Sequence, residues 1–74
     1  MTFRQFTAFA AVAKQLNITR AAQALRISQP SLSKHLQSLE ENFKINLFTR
    51  HAKGIMLTEE GKEFLRNIEP ILGD

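Results

Sequence analysis

The sequence predicts a small, mostly α-helical domain with one short β-hairpin. Three observations predict it: apolar residues recur at helical spacing through the first 43 positions, short β-capable runs follow, and helical spacing returns after Thr58. With 74 residues, the chain has room for one domain with one modest core.

The first helix is predicted over residues 3–16. Its apolar stripe consists of Phe3, Phe6, Phe9, Ala10, Ala13 and Leu16. Three Phe in such a stripe indicate core packing rather than base stacking, because bases are stacked by exposed aromatic rings on sheets or in clefts. Asn17 interrupts the pattern and ends this helix.

A short second helix is predicted to follow, with Thr19 as its N-cap and Leu25 near its end. Ala21 and Ala22 point inward, and their small side chains allow another helix to approach closely. Residues 26–28 then leave only a tight connection to the next helix.

The third helix is predicted over about residues 29–43, with Ser28 as its N-cap and Pro30 in the first turn, where the missing N–H costs little. Its apolar stripe is formed by Leu32, Leu36, Leu39 and Phe43. The opposite side, which we call the polar face of the third helix, holds Pro30, Ser31, Lys34, Gln37 and Ser38, with Ser33 and His35 on its flanks. Two short helices joined by a tight turn, the second polar on its outer face, form a helix-turn-helix.

A β-hairpin over about residues 47–57 is predicted from two short β-capable runs, 47–50 and 55–57. The residues between them are basic at the tip, and Gly54 can adopt a positive φ there.

A last helix is predicted to begin after Thr58, which can cap it, and Glu59 and Glu60 suit its positively polarised N-terminus. Pro70 is expected to kink or fray it. Its apolar stripe contains Phe64, Leu65, Ile68, Ile71 and Leu72. Because this stripe is longer than so small a core requires, we expect part of it to pair with a second copy of the chain.

The charges are distributed unevenly along the chain, whose net charge is +3. The acids are Glu40, Glu41, Glu59, Glu60, Glu63, Glu69 and Asp74. Residues 1–39 therefore carry only basic charges, and residues 42–58 form a second stretch without acid. Such surfaces are typical of proteins that bind polyanions, although a chance solvated face is the alternative reading.

Composition argues against several other classes of function. The chain has no Cys, so disulfides and thiolate metal sites are excluded and a reducing cytoplasm is compatible. Its only His residues, His35 and His51, have no convincing further metal ligands, and no nucleophile stands beside the acids. We expect no enzyme activity, no metal or cofactor, and no membrane segment, since no apolar run approaches the roughly 20 residues that span a bilayer.

Residues 17–61 closely resemble the N-terminal DNA-binding domain of LysR-type bacterial transcriptional regulators. The positions that carry the resemblance are Ala21, Ala22, Leu25, Ser28, Gln29, Pro30, Ser33, Leu39, Glu40, Leu47, Phe48, Arg50, Leu57, Thr58 and Gly61. The resemblance implies a winged helix-turn-helix over residues 1–58, followed over residues 59–74 by the start of a linker helix. It also implies a regulatory domain that binds a small inducer and is absent from this chain.

The resemblance further implies sequence-specific binding to double-stranded DNA. It assigns base contacts in the major groove to Gln29, Pro30, Ser31, Ser33, Lys34 and His35. It places Arg50 on the wing. By position and chemistry, we expect contacts with the DNA backbone from Thr19, Arg20 and Lys53. The resemblance assigns dimerisation to the apolar stripe of the last helix, so that the partners are operator DNA and a second copy of the chain.

Two departures from the family pattern lie at the turn into the wing. Lys44 stands where the family usually has Gly, and Asn46 where it often has Pro, so a different turn shape is expected. Other readings also remain: a winged helix that serves only in protein association, or more remotely an RNA-binding module. Structural roles are possible for Gln29 beside the N-cap, for Ser33 by bonding to a backbone carbonyl, and for Arg50 by pairing with a local carboxylate.

Overall fold

The computed structural model describes residues 3–52 and 54–72. In chain order these form α1 (Phe3–Gln15), α2 (Ile18–Leu25), α3 (Gln29–Phe43), β1 (Phe48–His51), β2 (Gly54–Leu57) and α4 (Glu59–Leu72). The predicted fold class, mostly α with a hairpin wing after a helix-turn-helix, is confirmed.

The start of α2 differs from the prediction. Asn17 is the N-cap, with an extended backbone at φ −159°, and its Oδ1 accepts a hydrogen bond of 2.9 Å from the Arg20 N–H. Thr19 lies within the first turn of α2, so its assignment as the cap is wrong. Asn17 both ends the apolar pattern of α1 and caps α2, since the Asn side chain is among the best at accepting a bond from a helix's free amides.

The predicted start of α3 is confirmed. Ser28 has an extended backbone, and its Oγ accepts a hydrogen bond of 3.2 Å from the Ser31 N–H. Pro30 occupies the first turn, where its missing N–H removes no intrahelical bond. Local sequence chemistry alone therefore fixes where this helix begins.

Three helices end at a non-glycine residue in the left-handed conformation: Leu16 at φ 49°, Arg26 at φ 59° and Lys44 at φ 57°. The Lys44 N–H donates to the Glu40 carbonyl, as in the common helix ending that Gly favours. Lys44 thus adopts the left-handed conformation that Gly favours at a helix end, and a turn shape that differs from the family's stays a prediction.

The core lies between the helix-turn-helix, the base of the hairpin and α4. Its largest fully buried side chains are Phe9, Leu32, Leu39, Leu47 and Val12. The Phe64 ring of α4 packs 5.9 Å from that of Phe6, 5.2 Å from that of Phe9 and 4.8 Å from that of Phe43. The core assignment is confirmed for Phe6 and Phe9 but is wrong for Phe3, which is 65% exposed at the first residue of α1.

The hairpin is antiparallel, with Phe48 opposite Leu57 and His51 opposite Gly54. Gly54 has the predicted positive φ, at 136°. Thr58 caps α4 as predicted, since its Oγ1 accepts a hydrogen bond of 2.9 Å from the Gly61 N–H. The helix continues through Pro70 to Leu72, so the predicted fraying is not found within the described residues, while the predicted kink stays a prediction.

Candidate nucleic-acid interface

The polar face of α3 is turned to solvent. Pro30, Ser31, Lys34 and Gln37 are exposed, as is Gln29 at the first residue of the helix. Ser33 and His35 are half-buried on the two flanks. This distribution follows from helical rotation, because Leu32, Leu36 and Leu39 on the opposite side are buried in the core.

The cations beside this face have no carboxylate partner within the described residues. The ion pairs of the described residues lie on α4, where Lys62 Nζ is 3.9 Å from Glu59 Oε2 and Arg66 pairs with Glu63. Arg20, Lys34 and Arg50 are exposed and take part in none of them. The alternative in which Arg50 pairs with a local carboxylate is therefore not found, and these charges project an uncompensated positive field.

The first turns of α2 and α3 are joined by a side-chain hydrogen bond. Gln29 Nε2 donates to Thr19 Oγ1 at 3.1 Å. Ser28 already supplies the cap of α3, so Gln29 is not needed for that structural task. The bond places two predicted DNA-contacting residues side by side on the exposed surface.

The wing completes the site on one flank of α3. A cavity of about 210 Å³ is lined by Ser33, Gln37 and Arg50, among others. A second cavity, of about 310 Å³, is lined by Thr19 and Arg50, together with His51 and Gly54 of the hairpin. Arg50 therefore shares one cavity with Thr19 and another with Ser33, and a hydrogen bond links Gln29 to Thr19.

One predicted residue lies apart from this group. His35 lines a different cavity, of about 640 Å³, together with Phe3, Arg4 and Ile27, on the flank of α3 away from the wing. Lys53, predicted at the wing tip, lies outside the described residues.

The apolar stripe of α4 is mostly used within the chain itself. Ile68 is buried in the core at 3% exposure, and Phe64, Leu65 and Leu72 are partly buried against it. Ile71 is 63% exposed. Of the five residues predicted for dimerisation, Ile71 is thus the one whose side chain is mainly available to a second copy.

Glu40, Thr58 and Gly61 hold the wing in place, a role that the sequence did not predict for them. Glu40 Oε2 accepts hydrogen bonds from the Leu47 N–H at 2.7 Å and the Phe48 N–H at 3.3 Å. Thr58 Oγ1 donates to the Asn46 carbonyl at 2.6 Å. We call this set of contacts, which Glu40, residues 46–48, Thr58 and Gly61 form, the wing junction.

Gly61 belongs to the wing junction because α4 passes very close to the chain that begins the wing. A Cβ added at Gly61 would lie 2.2 Å from the Leu47 carbonyl oxygen. No periodicity signals this contact or that of Glu40, because both depend on how the chain turns between residues 44 and 47. The one available signal was that both positions belong to the set that carries the family resemblance.

Neither a metal centre nor a membrane segment is found in the described part of the chain. Residues 3–52 and 54–72 contain no group of three or more His, Cys, Asp or Glu side chains arranged to hold a metal ion. No helix there is long and apolar enough to cross a membrane.

The chain is similar to a known family along most of its length. The model of the family described as "Bacterial regulatory helix-turn-helix protein, lysR family" matches residues 3–62. The probable cat1 operon transcriptional activator of Acinetobacter lwoffii is 42% identical over 73 residues, which are 99% of this chain and 24% of that protein. The HTH-type transcriptional regulator BudR of Klebsiella aerogenes is 44% identical over 72 residues, covering 97% of this chain and 50% of that protein.

Solved structures agree with these matches. A BenM_DBD/catB site 1 DNA complex aligns with a TM-score of 0.93 at 36% identity, over 97% of this chain and 81% of that one. A CbnR_DBD-DNA complex aligns with a TM-score of 0.92 at 40% identity, over 97% of this chain and 83% of that one.

The relatives are named as transcriptional regulators, in agreement with the prediction that the chain is not an enzyme. The chain spans about a quarter to a half of the length of these two curated relatives. The match over residues 3–62 and the shared fold lead to one conclusion: the chain belongs to the lysR family of bacterial regulatory helix-turn-helix proteins and carries that family's DNA-binding domain.

Proposed function

We propose that this chain binds double-stranded DNA sequence-specifically, with α3 in the major groove and the hairpin on the neighbouring minor groove or backbone. The observation that carries the proposal is the exposed, acid-free face of α3, together with Arg20, Lys34 and Arg50, which have no carboxylate partner within the described residues. A B-DNA major groove admits one helix, and its base edges present donors and acceptors that amide, hydroxyl and ammonium groups can match.

The residues at the start of α3 have the chemistry needed to read bases. The Gln29 amide can pair bidentately with adenine, Lys34 can donate to guanine, and the Pro30 ring can contact a thymine methyl group. Each good base contact discriminates by about 1–3 kcal/mol. Ser31 and Ser33 lie beside them with hydroxyl groups, while His35 is proposed for the outer flank, where it is half-buried.

Contacts with the phosphates are proposed for Thr19, Arg20, Arg50 and Lys53. Such contacts fix the register of a protein on the duplex and supply affinity without reading sequence. The proposal is supported by the DNA complexes of the BenM and CbnR DNA-binding domains, which share this fold.

The test is fluorescence anisotropy with a mixed pool of labelled DNA duplexes, titrated at several salt concentrations. The wild type is compared with Lys34→Ala and Arg50→Ala. The matched controls are Lys62→Ala and Arg66→Ala, which remove the same charges from α4, where both side chains are exposed in ion pairs.

We expect the affinity of the wild type to fall steeply with salt. Removing a side chain that contacts a phosphate should reduce the slope of log K against log salt by about 1. Arg50→Ala should show this reduction and Lys34→Ala should weaken binding, while both control variants retain most of the wild-type affinity. Absence of binding at low salt, or equal losses from all four substitutions, would contradict the proposal and favour a protein-association role.

We further propose that residues 1–58 form the DNA-binding unit and that α4 begins a linker through which two copies pair. The pairing is supported by the exposed Ile71 of α4 and by a groove between α1 and α4. That groove is lined by Ala10, Ala13, Lys14, Leu65, Glu69 and Leu72. A two-fold dimer presents two recognition helices to half-sites about one helical turn, or a multiple of it, apart. From the family resemblance, we also propose that the whole protein has an inducer-binding domain and acts on DNA in the cytoplasm.

Sedimentation at rising protein concentration tests the pairing. Ile71→Glu should shift the monomer–dimer equilibrium towards the monomer, whereas Met56→Glu should not, although Met56 is similarly exposed on the wing at 52%. A wild type that stays monomeric into the millimolar range, or equal effects of the two substitutions, would rule out pairing through α4 for this chain.

A further inference from the structure

The hydroxyl of Thr19 is available for a task outside its own helix. Asn17, not Thr19, caps α2, so Thr19 Oγ1 is not committed to a free amide of the first turn. Instead it accepts a hydrogen bond of 3.1 Å from Gln29 Nε2, ten residues further along the chain. The bond crosses from the first helix of the helix-turn-helix to the first residue of the second.

The bond restricts an amide that is otherwise free to rotate. Gln29 is exposed, and a Gln side chain has three rotatable bonds that lose their freedom when DNA fixes them. Holding Nε2 against α2 leaves the second N–H and the Oε1 acceptor of the same amide unoccupied by this bond. Those are the two groups that pair with N7 and the N6 amino group of adenine.

We infer that Thr19 is a positioning residue for base selection: it holds the Gln29 amide in the orientation that reads one base pair. The inference rests on the proposed base contact of Gln29. A side chain fixed before binding loses less conformational entropy on binding. The resulting gain in affinity therefore appears mainly in complexes in which the Gln29 amide is correctly paired with a base.

The same hydroxyl also retains its own O–H. A hydroxyl group has one donor and two acceptor positions, so Thr19 can accept from Gln29 and donate to a phosphate oxygen at the same time. Thr19 thereby connects a contact that fixes register to a contact that reads sequence. Its two roles make different predictions, because loss of a phosphate contact weakens binding to every sequence equally.

The experiment begins by selecting preferred duplexes from a randomised pool with the wild-type chain. The base pair read by Gln29 is the one whose preference falls in Gln29→Ala, by about 5- to 150-fold. Affinities for the preferred duplex and for the same duplex substituted at that pair are then measured for Thr19→Val, Thr19→Ser and the double variant Thr19→Val/Gln29→Ala. Urea unfolding of each variant tests whether the fold is retained.

We expect Thr19→Val, which keeps the shape but loses the hydroxyl, to reduce the ratio of the two affinities about 3- to 10-fold. Thr19→Ser should preserve the ratio, and ratios at the other base pairs should not change. In the Gln29→Ala background, Thr19→Val should leave the ratio unaltered, because the amide it positions is absent.

The inference is overturned if Thr19→Val weakens the preferred and substituted duplexes by the same factor, which would make Thr19 a phosphate contact alone. It is also overturned if Gln29→Ala alters no base preference, and DNA binding that stays salt-dependent would then leave the proposed function standing. If the wild type binds no duplex at low salt, the proposed function itself fails. The three failures are therefore distinguishable.

Discussion

The polar face of α3 and the wing junction both involve α3 and are built in opposite ways. Side chains on the polar face are mostly exposed and take part in no ion pair of the described structure. At the wing junction, by contrast, the Glu40 carboxylate and the Thr58 hydroxyl each bond to backbone groups of residues 46–48 or of α4. The helix thus leaves one side free in the described structure and uses Glu40, near its C-terminal end, to hold the wing.

This difference separates the two ways in which a substitution can impair binding. Under the proposed function, a change on the polar face removes a contact with DNA while leaving the fold intact. A change at the wing junction is expected to act instead through the stability and position of the wing. The free energy of unfolding distinguishes them, because it responds to lost packing and lost internal hydrogen bonds but not to groups that face solvent.

The largest effect is expected from Gly61→Ala at the wing junction. The added Cβ would lie 2.2 Å from the Leu47 carbonyl oxygen and 3.0 Å from Leu57 Cδ2, so the backbone of α4 or of residue 47 has to move. We expect the free energy of unfolding to fall by about 3 kcal/mol, measured by urea denaturation followed by circular dichroism. The control is Lys62→Ala in the same helical turn, which should stay within about 0.5 kcal/mol of the wild type. Equal stability of both variants would mean that α4 does not approach the wing so closely.

The next largest effect is expected from Glu40→Ala. This change leaves the Leu47 and Phe48 amides without the carboxylate that accepts their hydrogen bonds. Bonds to a charged group are worth about 1.5–3 kcal/mol, so a loss of about 2 kcal/mol is expected in the same urea measurement. Glu40→Gln keeps a neutral acceptor and should lose about half as much. Glu41→Ala, at the exposed neighbouring acid, is the matched control, and a loss as large as that of Glu40→Ala would contradict this role.

The contrast between the two regions also explains which features the sequence could predict. Ser28, Pro30 and the Leu spacing of α3 act through neighbours within one or two turns, so they identified the helix, its start and its polar face. The bonds of Glu40 join residues seven and eight positions apart through an irregular turn, and the Gly61 contact spans fourteen positions. Such contacts exist only once the chain has folded, and periodicity carries no information about them.

The misassigned Thr19 shows the same limit at short range. Asn17 and Thr19 are both good N-cap residues, and two competing caps two positions apart cannot be ranked by preference alone. The exposed Phe3 is a similar case, because the stripe to which it belongs continues past the end of the core. Pattern identifies a face of a helix but does not fix how far the neighbouring elements cover it.

A smaller effect, of opposite sign, is expected from Lys44→Gly at the turn into the wing junction. Lys44 has φ 57°, which costs a non-glycine residue about 1–2 kcal/mol. Gly removes that cost but has more freedom in the unfolded chain, so a net stabilisation of about 0.5–1 kcal/mol is expected. Lys14→Gly, the same change at an exposed site within α1, should destabilise by up to about 1 kcal/mol. Thermal and urea unfolding of the pair would reveal the opposite signs, and a loss from both would show that Lys44 makes a stabilising contact that offsets its backbone cost.

The smallest effect on stability is expected from Lys34→Ala combined with Gln37→Ala on the polar face. Both side chains are exposed in the middle of α3, and Ala is an equal or better helix former, so the free energy of unfolding should stay within about 0.5 kcal/mol of the wild type. Leu36→Ala, between them but turned to the core at 2% exposure, should cost about 2–5 kcal/mol and serves as the control. A large loss from the polar pair would show that this face stabilises the fold. Unchanged stability together with weakened DNA binding would show instead that its side chains are free in the folded chain and engaged only by the duplex.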